Sequence, residues 1–210
     1  MYKMIMLIFF FSTELAFAST PKKVLMIINE GFQVDEYFIP RKLFEKEGYK
    51  IKTASKYGGL VNPGKKYVAD YKPVQTDLSF EQIKIEDYDA ITFAGGAGAW
   101  TDYFPNKTIH QILINSIKRK QMIVGLICAG TGLLATANNL DGTSPQFKGR
   151  HVTGYGEVSG LLTSLGQVKY DSGDLTKPYV VEDGNLITGR DPSSSKLFAE
   201  IVIKKLNKEK

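Results

Sequence analysis

Cysteine occurs once in this chain, at Cys128, and histidine only twice, at His110 and His151. A single thiol cannot close an intramolecular disulfide, so stability has to come from a packed core. So few nitrogen and sulfur ligands also argue against a transition-metal site, and neither a metal nor a cofactor is expected. Long apolar runs are scarce as well. The stretch Met4-Ile-Met-Leu-Ile-Phe-Phe-Phe11 is too short to span a bilayer, which takes about 20 residues. It follows Lys3 and precedes a segment ending Ala16-Phe17-Ala18, and small residues at −3 and −1 of a cut fit a secretory signal peptide. Cleavage is expected after Ala18, which exports residues 19–210 to the periplasm or the exterior. No cysteine follows the cut, which argues against a lipid anchor, and no membrane partner is expected after cleavage.

Strong charge imbalance is missing too. Lysine and arginine number 27 against 22 acids, a formal +5, and Lys3 and Glu14 cancel within the signal. The basic runs Lys118-Arg119-Lys120 and Lys204-Lys205-Leu-Asn-Lys208-Glu-Lys210 stand near the ends of expected helices, where cations complement the helix dipole. They read as solvated surface, and no nucleic acid partner is expected.

What remains is 43% apolar residues, enough for one core and a single domain over residues 19–210. Lys23 to Ile28, Lys50 to Ala54, Asp89 to Phe93 and Met122 to Ile127 read as strands, most of them continuous apolar runs of the kind a parallel sheet buries. Asp35 to Glu47, stopped by Gly48, and Lys107 to Lys120 have helical spacing. Residues Tyr57 to Lys72 are rich in Gly, Lys and Tyr and read as a surface excursion or edge hairpin. Short strands at Gly149 to Thr153 and Gln167 to Tyr170 flank a helix through Leu161 to Ser164. Val180-Val181 and Asn185 to Thr188 form a hairpin turning at Asp183-Gly184, and Ser194 to Leu206 closes the chain as an amphipathic helix. Alternating strands and helices predict a three-layer α/β/α sandwich on a mainly parallel sheet.

Cys128 stands where Met122-Ile-Val-Gly-Leu-Ile127 breaks into Ala129-Gly130-Thr131-Gly132 and a short helix. A strand turning sharply into a helix presents the turn residue at the carboxyl edge of the sheet, a nucleophile elbow. The helix dipole is expected to favour the reactive thiolate. The alternative is a small apolar cysteine at a strand end.

Five segments in order carry a resemblance: Glu36-Tyr-Phe-Ile-Pro40, Asp87-Tyr-Asp-Ala-Ile-Thr-Phe-Ala-Gly-Gly96, Ile127-Cys-Ala-Gly130, Gly149-Arg-His-Val-Thr-Gly-Tyr155 and Asp183-Gly-Asn-Leu-Ile-Thr-Gly-Arg190. Together they resemble the ThiJ/PfpI superfamily, which includes deglycase-like proteins, glyoxalase III and intracellular proteases. The resemblance implies a flavodoxin-like sandwich of the class I glutamine amidotransferase type, and by analogy a homodimer. It makes Cys128 the nucleophile and Glu36 the buried acid beside it, with a raised pKa that suits proton transfer. It makes the N–H groups of Gly96 and Ala129 an oxyanion hole, with Gly95 and Tyr155 lining the pocket. The chain also departs from the pattern. Ala129 stands where the proteases have histidine, and Tyr155 stands nearest to the histidine of the deglycase-like branch. His151 is expected to point elsewhere, and His110 to face solvent on its helix.

Three functions are compatible with these residues. The first is a metal-free, glyoxalase- or deglycase-like enzyme acting on a small reactive carbonyl. The second is a stress-protective redox sensor in which an oxidant converts Cys128 to a sulfinate. The third is a small-molecule binder that has lost catalysis.

Overall fold

A computed structural model describes residues 20–137 and 146–208. The expected signal peptide, residues 1–18, lies outside the described residues. In chain order the elements are β1 (Lys23–Ile27), α1 (Val34–Lys46), β2 (Lys50–Ser55), β3 (Gly59–Val61), β4 (Val74–Thr76), β5 (Leu78–Ser79), β6 (Ala90–Phe93), α2 (Lys107–Lys118), β7 (Ile123–Ile127), α3 (Leu133–Thr136), β8 (His151–Val152), α4 (Ser159–Ser164), β9 (Lys169–Tyr170), β10 (Val180–Asp183), β11 (Leu186–Gly189) and α5 (Ser195–Lys208).

Seven strands form the central sheet in the order β10-β11-β7-β6-β1-β2-β5. Every pairing is parallel except β10 with β11. All residues of β6, β7 and β11 are buried, because helices cover both faces and leave no solvated side. One layer holds α1 and α5, which pack on each other, and α5 also rests on β7 and β11; α2 packs on β7 with α3, and α3 with α4, in the other layer. Gly125 in β7 makes the α5 contact possible, since a Cβ there would lie 2.5 Å from the Phe198 ring.

The chain runs β1 to β2 on one side of β1 and then crosses to β6 on the other. The five strands β2-β1-β6-β7-β11 therefore follow the doubly wound 2-1-3-4-5 order, whose switch point lies between β1 and β6. The loops after β1 and β6 leave the carboxyl edge at this point bonded to each other, by the Gln33 N–H to Gly95 O and the Ala97 N–H to Gly31 O, both at 3.2 Å. α1 starts beside this edge, with the Gln33 side chain accepting from the Asp35 N–H as N-cap and Asp35 and Glu36 in the first turn, where the dipole favours acids. Gly48, at φ +75°, ends this helix in the left-handed conformation glycine tolerates best.

The 57–72 excursion contains β3, which pairs antiparallel with β4, so the edge-hairpin reading holds. Its tip is sewn to the loop after β1: the Gly31 N–H donates to Asn62 O and the Gly64 N–H to Phe32 O, both at 2.9 Å. Two expectations need correction. The β10–β11 turn falls on Gly184-Asn185, one residue later than read, because Asp183 still pairs with Leu186. His110 is buried at 3% exposure rather than solvent-facing, because α3 packs on its side of α2 and offers the Thr136 hydroxyl 3.2 Å from Nε2.

Candidate active site

Cys128 leaves the carboxyl end of β7 with φ +55°, a left-handed conformation that costs a non-glycine residue about 1–2 kcal/mol. Its carbonyl accepts from the Thr131 hydroxyl at 2.7 Å and from the Tyr155 N–H at 3.4 Å. These bonds hold the elbow in place. Such strain, held by its surroundings, is a feature of functional sites. The thiol side chain is 6% exposed and opens onto a cavity.

Glu36 stands beneath it on the first turn of α1, 2% exposed. The Gly95 N–H donates to its Oε2 at 2.7 Å, its buried Oε1 has no hydrogen-bond partner among the described residues, and Cys128 lies close enough for each group to shift the other's ionisation. Gly95 sits where the three loops meet: a Cβ there would lie 2.8 Å from the Ala129 nitrogen, 2.9 Å from Glu36 Oε2 and 3.1 Å from Cys128 Cβ. The resemblance made Gly95 a pocket-lining residue. It is buried under the floor instead and holds the acid. Asn29, fully buried, fixes this loop by donating from Nδ2 to the carbonyls of Ala94 and Gly95.

Burial pushes the Glu36 carboxyl up to about 8, opposed by the neighbouring Cys128 thiol and the Gly95 N–H and reinforced by Asp191 and Asp35. Burial also pushes the Cys128 thiol up, followed by the effect of the neighbouring Glu36, with the Ala129 N–H acting the other way. The thiol is thus raised where a dipole-stabilised thiolate was expected, because desolvation of the buried sulfur and the adjacent acid outweigh the Ala129 N–H. The two groups titrate as a pair, since whichever ionises second meets the other's charge. At neutral pH the arrangement is an acid holding its proton against a thiol.

Gly96 has φ +115°, and a Cβ there would meet the Gly31 carbonyl at 2.5 Å. Only glycine fits this close approach. Gly96, Ala129, Cys128 and Tyr155 line one cavity of about 550 Å³, so the structure gathers the expected nucleophile, both amide candidates and the tyrosine around one space, with Glu36 behind. Tyr155, 37% exposed, places its hydroxyl 3.5 Å from Glu157. His151 is exposed, with its N–H bound to Asp183. Neither histidine lines the cavity.

Sequence reasoning missed two groups. Asp191 follows β11, whose register sets Gly189 beside Ile127, so both chains leave the sheet together at the site; its position at a carboxyl strand end was the available signal. Asp191 is held by the Arg190 Nε at 2.7 Å and the Ser194 hydroxyl at 3.2 Å. Lys65, Lys66 and Tyr67 of the excursion and Trp100 after β6 also wall the cavity.

The DJ-1/PfpI family model matches residues 22–205. An uncharacterized protein of Methanocaldococcus jannaschii is 30% identical, over 89% of this chain and 83% of its own length. Glyoxalase 3 of Candida albicans is 25% identical, over 82% of this chain and 88% of its own. Among solved structures, a ThiJ/PfpI domain protein from Brachyspira murdochii superposes with a TM-score of 0.76 at 28% identity, covering 90% of this chain and 98% of that one. With a family match over nearly its whole described length, this chain belongs to the DJ-1/PfpI family.

Proposed function

We propose that the chain is a glyoxalase- or deglycase-like enzyme that adds Cys128 to small reactive carbonyls without a metal. The observation that carries this reading is the buried Glu36 carboxyl beside the Cys128 thiol, both against Gly95, with the acid raised to about 8. A base with a pKa near working pH suits proton transfer. Ionised Glu36 takes the thiol proton as sulfur bonds to the aldehyde carbon. The carbonyl π pair moves to oxygen, which the Gly96 and Ala129 N–H groups stabilise, and Glu36-H then protonates it to a hemithioacetal. With an α-oxoaldehyde, Glu36 moves the adduct's C1 proton to the neighbouring carbon, giving a thioester that water cleaves to a 2-hydroxy acid and the free thiol. The sum is oxoaldehyde plus water, with no outside oxidant. The similarity to Glyoxalase 3 of Candida albicans supports the same class.

The test is saturable consumption of methylglyoxal by the wild-type chain. Cys128→Ser is expected to abolish it, and full rate in Cys128→Ser would overturn the mechanism. A second reading draws on the lack of an imidazole at the cavity: two equivalents of peroxide oxidise the thiol to a sulfinate, releasing two waters, and protonated Glu36 donates to the product. Mass spectrometry after mild peroxide decides it, since an unmodified Cys128 would count against oxidation as the output.

A further inference from the structure

The cavity over Cys128 is much larger than a three-carbon dicarbonyl needs. At about 550 Å³ it falls within the range of about 300–1,000 Å³ that encloses drug-sized ligands. Methylglyoxal in contact with the sulfur would leave most of it to water. The outer walls are aromatic: Tyr67 from the excursion, Trp100 after β6, and Tyr155. Trp100 is 43% exposed, an expensive place for an indole unless something covers it.

These rings are backed by other rings. Tyr67 meets Tyr71 edge-on at 6.4 Å, and Tyr71 stacks on Phe38 at 5.3 Å, which packs against buried Phe32 at 6.2 Å. Trp100 leans on Phe104 at 5.3 Å. Phe104 in turn occupies the space where Gly132 of the elbow turn has no side chain. The Lys66 ammonium lies 4.7 Å from the Tyr67 ring centre, and both residues line the cavity. The walls are thus preorganised, and an entering planar group meets little ordering cost.

Resting on the reading proposed above, we infer that this site selects carbonyl substrates with an aromatic or comparably bulky apolar substituent, with Tyr67, Trp100 and Tyr155 as the residues that set the preference. The reactive aldehyde faces Cys128 and the substituent fills the space between the rings. The chemistry is the same addition, with the substituent untouched.

The experiment compares phenylglyoxal with methylglyoxal by initial rates, subtracting the Cys128→Ser background to remove reaction with arginine. Burying a phenyl group contributes about 1.5–3 kcal/mol, so kcat/KM is expected to favour phenylglyoxal by about 10- to 100-fold. Trp100→Ala and Tyr67→Ala are expected to shrink that ratio about 5-fold or more, which intrinsic aldehyde reactivity cannot do. Binding to the Cys128→Ser chain supplies a readout free of turnover: mandelate, the aromatic 2-hydroxy acid, is expected to bind measurably tighter than lactate, and Trp100→Ala to erase the difference. If neither aldehyde turns over but mandelate binds through Trp100, the inference about the pocket stands and the enzymatic reading falls. Equal kcat/KM for the two aldehydes, or a ratio unmoved by both substitutions together with no mandelate preference, would overturn it.

Discussion

At the residue scale the site is two buried titratable groups, Glu36 and Cys128, each shifting the other's ionisation. Glu36 was legible only through the family resemblance, which sets the acid four residues before Pro40, and Cys128 from the break after an apolar strand. Their ionisation was not, because it depends on burial and on Asp191, which lies 155 positions from Glu36 in the numbering of the chain. The raised carboxyl has a consequence for stability. Its folded pKa of about 8 exceeds the reference value of 4.5, so the folded state binds the extra proton between those limits. Stability from this group is therefore greatest below 4.5 and falls as pH rises toward 8, by about 5 kcal/mol at most. Glu36→Gln removes the titration. In denaturant unfolding the variant is expected to gain on the wild type steadily from pH 5 to pH 8; parallel pH dependence in the two chains would show that Glu36 is not buried as described.

At the element scale the elbow matters more than the helix after it. β1, β6 and β7 could be read from continuous apolar runs, because a sheet covered on both faces demands them. The individual short strands β3, β4 and β5 could not, since two or three residues carry no period, although an edge hairpin in the excursion was among the readings. His110 shows the limit of reading one helix alone. α2 buries Ile109, Ile112, Leu113 and Ile114 as well, so its covered face is wide enough to include the histidine, which the period alone had left outside. The left-handed Cys128 gives the element-scale prediction. Cys128→Gly is expected to be more stable than Cys128→Ala by about 1 kcal/mol, measured by chemical denaturation. Equal midpoints would mean that the elbow stores no backbone strain.

For the whole molecule, the doubly wound strand order explains why the site lies where it does. Cys128 comes from the end of β7, the glycine loop from β6, Glu36 from the helix after β1 and Asp191 from the end of β11, four segments that only the assembled sheet brings together at its carboxyl edge. The three-layer sandwich was legible in the alternation of strands and helices, and its flavodoxin-like type through the family resemblance. Of the cavity's outer walls Tyr155 was expected, whereas Tyr67 and Trp100 were not, because they come from an excursion without a period and from the loop after β6. The whole-molecule claim is that this convergence makes Glu36 a base for the Cys128 thiol, and the pH dependence of kcat/KM for an α-oxoaldehyde, in wild type and Glu36→Gln, tests it most directly. Because Glu36 must be ionised to accept the proton, the wild-type rate is expected to climb to a plateau with a midpoint near the carboxyl's value of about 8, while Glu36→Gln loses about 10²- to 10⁴-fold and that midpoint with it. A Glu36→Gln profile that overlays the wild type in height and midpoint would contradict the account.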